Sequence, residues 1–221
     1  MMNYLHQFTL LLGLFGLFLG PAQAQQPSKS VLVPINWEAS LSEDFSFQQQ
    51  WQYPEGIYRN RFGQLCCDGL CPEGVSHMKN TAGKILPKYL ILYYQLVDTT
   101  HQFHTVQSTT NAYEFAQTHF VKAKHDATRN ITRCYTLSNV ATHSTLNLEI
   151  LATECKAKVS LNSIRPEVGT QTFYCTGGQI KIDQTAWKTG RLKAVFDLHF
   201  YNHLAPSTPL YWKGKIVTRI E

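Results

Sequence analysis

The stretch that decides the fold runs from Thr145 to Leu161 and reads TLNLEILATECKAKVSL. Every second residue from Leu146 to Ile150 is apolar, and the same alternation resumes from Cys155 to Leu161 after a short break. A period of two residues is typical of a strand with one buried face. Two such segments joined by a short connection indicate a hairpin. We therefore predict a pair of antiparallel strands at the centre of a β-rich fold.

The same alternation returns towards the C terminus. Three runs show it, namely Ile180 to Ile182, Leu192 to Phe200 and Trp212 to Ile220. Turn-forming residues lie before or between these runs, at Gly177-Gly178, Thr189-Gly190 and Ala205 to Pro209. The pattern predicts an all-β, mainly antiparallel domain of the β-sandwich or jelly-roll-like kind.

The closing pattern extends from Trp187 to Gly190, through a phenylalanine-rich strand, to the stretch from Tyr211 to Ile216. It resembles the last hairpin of secreted bacterial β-sandwich domains. The resemblance covers only the last part of the chain. It implies a sandwich fold and brings no activity and no site residues with it.

Two segments do not follow this alternation. Tyr89 to Val97 is almost continuously apolar and aromatic, which predicts a central strand covered on both faces. Asn111 and Glu114 have the spacing of a helix-capping box, and apolar residues follow them at helical spacing. Between 111 and 125, a single helix and a strand both remain open.

The first 24 residues have the pattern of a cleavable signal peptide. An apolar run from Leu10 to Gly20 is followed by the small-residue triplet Ala22-Gln23-Ala24. The run is well short of the roughly 20 residues that a helix needs to span a bilayer. We therefore expect a secreted or periplasmic protein without a transmembrane span.

The remainder divides by pattern and charge. Residues 25–80 contain little regular alternation and predict a loop-rich lobe, whereas 81–221 predict the antiparallel β domain. The lobe has 4 basic and 6 acidic side chains, and the β domain has 16 basic and 9 acidic ones. This basic excess is modest, so we expect a solvated sheet and no nucleic-acid partner.

Six cysteines are present, which is an even number and favours disulfides in an exported chain. They are Cys66, Cys67, Cys71, Cys134, Cys155 and Cys175. The first three lie within one loop of the lobe, and neighbouring cysteines seldom bond to each other. We predict bridges that link this loop to the sheet, and the pairing stays open.

The alternative is a metal-binding protein or a metal-dependent enzyme. Thiolates of Cys66 and Cys71 together with His77, or a turn that brings His101 and His104 together, would offer ligands for zinc or copper. In a regular strand, His101 and His104 would point to opposite faces, because they are three residues apart. Our main interpretation therefore includes no cofactor.

The common signatures of nucleophilic, zinc-protease and nucleotide chemistry are missing from the sequence. The lobe instead holds several aromatic residues, among them Trp51, Tyr53 and Tyr58, which could stack on a sugar or a protein. We expect a non-catalytic binding or structural domain whose ligand is an extracellular or envelope component, either carbohydrate or protein. The oligomeric state stays open.

Overall fold

A computed structural model describes residues 30–53, 57–67, 75–96, 101–139 and 141–221. The predicted signal peptide lies outside these residues. The described chain is mostly β, as the alternation predicts. Its strands are β1 (Leu32–Glu38), β2 (Trp51–Gln52), β3 (Ile57–Arg59), β4 (Leu65–Cys67), β5 (Gln102–Phe103), β6 (Val106–Thr110), β7 (Val121–Asp126), β8 (Ile131–Thr136), β9 (Ser144–Ile150), β10 (Glu154–Asn162), β11 (Thr170–Asp183), β12 (Arg191–Phe200) and β13 (Leu210–Arg219).

Nine of these strands form one large sheet, in the order β6-β13-β12-β11-β1-β10-β9-β8-β7. The predicted hairpin is confirmed, since β9 and β10 pair antiparallel with Leu146 opposite Val159. The sheet is mixed, because β1 pairs parallel with β11 and antiparallel with β10. β10 and β11 pair directly with each other next to the loop that connects them. Further from this loop, β1 lies between the two strands and pairs with both.

The two ends of the sheet approach each other. Ala123 in β7 forms a parallel bridge with Ile220, just beyond β13. The Glu221 N–H donates to the Ala123 carbonyl at 3.0 Å, and the His125 N–H donates to the Glu221 carbonyl at 2.8 Å. The sheet is therefore nearly closed into a barrel.

The barrel interior holds the residues that the alternation places on the apolar side. Leu146, Leu148 and Ile150 of β9 are buried, as are the inward-facing residues of β10 and β12. Trp212 of β13 is fully buried, and its indole N–H donates to Ser108 Oγ at 3.0 Å. The predicted inner faces of these strands are confirmed.

The sandwich or jelly-roll architecture is not confirmed. Two packed sheets and one curled sheet both need strands with a single apolar face, so alternation cannot distinguish between them. The pairings between the two halves of the large sheet decide the matter here, because β1 pairs with both β10 and β11 and these two strands also pair with each other. Alternation within β1 carries no information about that pairing.

Gly177-Gly178, predicted as a turn, lies inside the long strand β11. The pairing of β11 with β12 shifts register between Cys175 and Gly177, which marks an irregularity of the β-bulge type. A Cβ atom at Gly178 would lie 2.2 Å from the Asp197 carbonyl oxygen, and the Gly178 φ is +134°. Gly178 therefore allows a close strand approach inside the sheet, and the chain does not reverse at these two glycines.

The predicted central strand from Tyr89 to Val97 is wrong. A 3-10 turn at Pro87–Tyr89 leads into helix α1 (Leu90–Leu96), with proline in the first helical turn. Tyr93 is buried, whereas Ile91 is 79% exposed. A short apolar run does not by itself distinguish a strand from a helix.

The segment 111–125 contains no helix. It runs irregularly to residue 120 and then forms β7. The Asn111 carboxamide accepts from the Tyr211 N–H at 3.0 Å, and the Glu114 carboxylate accepts from the Ile164 N–H at 2.9 Å. Both side chains of the apparent capping box therefore bind backbone groups that are distant in the sequence.

A lateral lobe beside the barrel extends past the predicted lobe as far as residue 103, and it contains two short ribbons, β2–β5 and β3–β4, and helix α1. Val75, Met78, Ile85 and Tyr93 form its own small core. The boundary predicted at residue 80 stays a prediction, although β1 lies within the predicted lobe and pairs in the large sheet. Among the described residues, none of the helices is both long and apolar enough to cross a membrane.

The segment after β1 crosses the outer face of the barrel. Leu41, Phe45 and Phe47 are buried there against Val217 of β13. Asp183, at the end of β11, caps the short helix α2 (Gln184–Lys188) by accepting from the Ala186 N–H at 2.9 Å. The crossing segment thus covers part of the sheet that would otherwise be exposed.

Candidate binding site

Four aromatic rings meet on the β2–β5 ribbon. The Trp51 ring centroid lies 5.4 Å from that of Tyr53 and 4.6 Å from that of His101. The His101 ring contacts Phe103 edge-on at 5.7 Å. We refer to Trp51, Tyr53, His101 and Phe103 as the aromatic cluster.

The ribbon presents this cluster to solvent. Trp51 and Phe103 are directly opposed across the two strands, and they are 48% and 53% exposed. The His104 N–H donates to the Gln50 carbonyl at 2.9 Å, which ties the base of the ribbon together. Short strand pairing therefore holds large rings side by side while leaving half of each indole and phenyl surface open.

Two of the three predicted binding residues belong to the cluster. Trp51 and Tyr53 pack against each other as described, whereas Tyr58 lies in β3 opposite Cys66 and its side chain is outside the described part. The sequence pattern does not indicate a role for Phe103, and it suggests His101 only as part of the alternative metal turn. Their membership depends on the pairing of β2 with β5, which no local pattern indicates.

His101 and His104 have different surroundings. His104 is buried and stacks on His119, with ring centroids 4.1 Å apart and planes 13° apart. Burial lowers the pKa of His104, and burial together with the neighbouring His104 lowers the pKa of His119. The two histidines thus have different surroundings, and a metal ion shared between them stays a prediction.

Cys66 and His77, the remaining described metal candidates, also differ in their surroundings. His77 is exposed and contacts Tyr89 edge-on at 5.5 Å, and Cys66 is buried in the lobe. Within the described ranges, no group of three or more His, Cys, Asp or Glu side chains could hold a metal ion. Cys71 lies outside those ranges, so the thiolate version of the metal hypothesis stays a prediction.

The disulfide-linked lobe is not confirmed. Cys66, Cys134, Cys155 and Cys175 are buried free thiols. Cys66 lies in the lobe, whereas the other three belong to the barrel core. Burial raises the pKa of Cys134 to about 12, so its thiol stays protonated at neutral pH. The side chain of Cys67 and all of Cys71 lie outside the described part.

The fold and the cluster together define a β-rich protein whose large mixed sheet carries a small aromatic ribbon on a lateral lobe. Comparison with family models, curated proteins and solved structures finds no match to this chain. The functional inference therefore rests on the geometry of its surfaces.

Proposed function

We propose that the protein is an exported, non-catalytic domain that binds a carbohydrate through the aromatic cluster. The observation that carries this proposal is the half-exposed pair Trp51 and Phe103, flanked by Tyr53 and His101. Aromatic side chains that could be buried are normally found in a core. Four such rings gathered on one exposed ribbon are typical of a recognition surface.

The chemistry of the rings suits a sugar. The C–H-bearing face of a pyranose packs on the flat face of an indole or phenyl ring, and its hydroxyl groups need polar partners at the edge. The Tyr53 hydroxyl and the His101 ring nitrogens can supply such partners on the face of the ribbon that carries Trp51 and Phe103. A cluster of this composition offers both apolar stacking and hydrogen bonding.

The scaffold supports binding more than catalysis. The ribbon is short and sits beside a rigid barrel, an arrangement that positions loops for recognition. His101 is exposed and contacts only rings among its described partners. A histidine that acts as a general base is usually held in place by a hydrogen bond to an orienting group. The described cluster provides flat surface and hydrogen-bonding edges without such a group.

The test is affinity electrophoresis through gels that contain single neutral polysaccharides. We expect at least one polysaccharide to retard the protein. Trp51→Ala should weaken that binding about 30-fold, since a central aromatic contact contributes about 2 kcal/mol. Phe62→Ala is the matched control, because Phe62 is 70% exposed and lies outside the cluster. Equal affinity of the two variants would contradict the proposal.

A protein ligand is the second candidate, and helix α1 is the observation that favours it. Leu90, Ile91, Leu92 and Tyr94 are all exposed on this helix. Exposed apolar surface of this kind is common at protein interfaces. Chemical cross-linking to envelope proteins would support this candidate if Ile91→Ser abolished a defined product that Trp51→Ala retained.

A further inference from the structure

The outer face of strands β7 to β11 carries a second surface that the aromatic cluster does not include. Its outward-facing side chains line an open cleft of about 900 Å³. Strand register places five of them in one row that crosses all five strands. In order, the row contains Lys122, Tyr135, Asn147, Lys158 and Tyr174. No carboxylate lies in this row.

A second row runs beside the first and mixes both charges. Its members in strand order are Lys124, Arg133, Glu149 and Lys156. Glu149 lies 3.6 Å from the Arg133 Nε and 3.9 Å from the Lys156 Nζ, so it partly neutralises both cations. We call the two rows the basic ladder.

Three cations of the basic ladder remain uncompensated. Lys122, Lys124 and Lys158 form no ion pair with any residue of the described chain. Lys122 and Lys158 are three strand positions apart, which corresponds to about 14 Å at the usual strand spacing. With their backbone positions this far apart, the two ammonium groups can contact separate anionic groups of one ligand. They suit an extended ligand with charges at intervals.

The groups between these lysines are polar and firmly placed. The Asn147 amide donates to the Thr145 carbonyl at 3.1 Å and to Ser160 Oγ at 3.2 Å, which fixes the side chain in the middle of the row. Tyr135 lies between Lys122 and Asn147, whereas Tyr174 lies beyond Lys158 at the end of the row. Hydroxyl and amide groups between separated cations match a hydroxyl-rich, sparsely charged chain.

We propose that the basic ladder binds a linear acidic polysaccharide, with Lys122 and Lys158 contacting separate anionic groups. The site is independent of the aromatic cluster. Glu149 lies within the ladder, and Asp126 and Glu221 line one end of the cleft. These carboxylates would repel a nucleic acid, whose strands carry a phosphate at every step. A hydroxyl-rich sugar chain can donate hydrogen bonds to them instead.

The first test compares hyaluronate and deacylated gellan, which carry one carboxylate per two and per four sugars, with the same polymers after methyl esterification of their carboxylates. We expect the wild type to bind at least one acidic polymer with an affinity that falls as salt rises, and not its neutral form. Lys122→Gln/Lys158→Gln should weaken binding about 25-fold at low salt, or about fivefold per lysine. Lys84→Gln/Lys213→Gln removes the same charge from exposed positions outside the ladder and should change the affinity less than twofold.

A second variant distinguishes loss of the binding site from loss of the fold. Glu149→Gln removes the only carboxylate of the two rows, so it should raise the affinity about fivefold, which an unfolded protein cannot do. Trp51→Ala should leave this binding unchanged, which separates the site from the proposed neutral-sugar site. The proposal would be overturned by no binding at low salt, by equal effects of the two double variants, or by equally tight binding of an oligothymidylate of matched charge.

Discussion

Asp183 offers the sharpest test of how the crossing segment is held on the barrel. Asp183 is 4% exposed. Its carboxylate accepts hydrogen bonds from the Leu41 N–H at 3.0 Å and from the Ala186 N–H at 2.9 Å. The Lys193 Nζ lies 3.2 Å away and also donates to the Leu41 carbonyl at 2.8 Å. One side chain therefore joins the crossing segment, α2 and β12.

We expect Asp183→Ala to lower the free energy of unfolding by about 3–5 kcal/mol, because removing one partner leaves the Lys193 ammonium without its counter-charge. Asp183→Asn keeps an acceptor oxygen and should cost about half as much. Urea unfolding with unchanged slope measures both values. A loss below about 1 kcal/mol for Asp183→Ala would refute the reasoning.

The same contact has a defined pH dependence. Burial raises the pKa of Asp183, but the N–H groups of Ala186 and Leu41 and the Lys193 ammonium outweigh it and hold the pKa below its ordinary value of 3.8. The folded state therefore favours the ionised form. Its contribution to stability is present above pH 3.8 and is lost as the pH falls through the folded pKa. Asp183→Asn should lack this part of the acid-induced loss.

Three further predictions concern a glycine in the sheet, the stacked pair of histidines and a buried cysteine. Gly178→Ala should destabilise the fold by more than about 2 kcal/mol, measured by urea unfolding, because the new Cβ meets the Asp197 carbonyl; a neutral substitution would contradict the register. The free energy of unfolding should fall as the pH drops below about 6.5, because the folded state lowers the pKa values of His104 and His119. His104→Phe should reduce this pH dependence, measured by urea unfolding at pH 7.5 and 5.0. Iodoacetamide at pH 8 should modify Cys134 only after unfolding, and mass spectrometric detection of the native adduct would contradict its burial.

Much of the barrel follows from local pattern. Alternation correctly assigns the buried face of β9, β10, β12 and β13, because side chains in a strand point to opposite faces in turn. The turns at Thr189-Gly190 and Ala205 to Pro209 also lie between strands, as predicted. These features depend only on residues that are close together in sequence.

The features that sequence pattern missed depend on distant partners. β1 joins the sheet through β10 and β11, more than 100 positions further along the chain, so the curled mixed sheet could not be read from its residues. Asn111 and Glu114 satisfy distant backbone groups instead of capping a helix. The aromatic cluster likewise exists only because Trp51 pairs with Phe103.

The basic ladder shows the same limit for charge. Lys122, Tyr135 and Lys158 are separated in sequence by many residues and become neighbours in one row through strand register alone. Residues 81–221 have a modest excess of basic side chains. That count carries no information about where the excess lies on the surface. Position on the sheet, and not the amount of charge, is what singles out this face.

The central claim is that the aromatic cluster binds a sugar, and the most direct measurement is a two-dimensional NMR titration of the four tryptophan indole N–H signals with the retarding polysaccharide. We predict that the Trp51 signal shifts with saturation, while those of Trp37, Trp187 and Trp212 stay in place. Trp37 and Trp187 lie at another surface and contact each other at 5.3 Å, and Trp212 is fully buried. A shift at Trp37 or Trp187 with an unchanged Trp51 signal would contradict the claim.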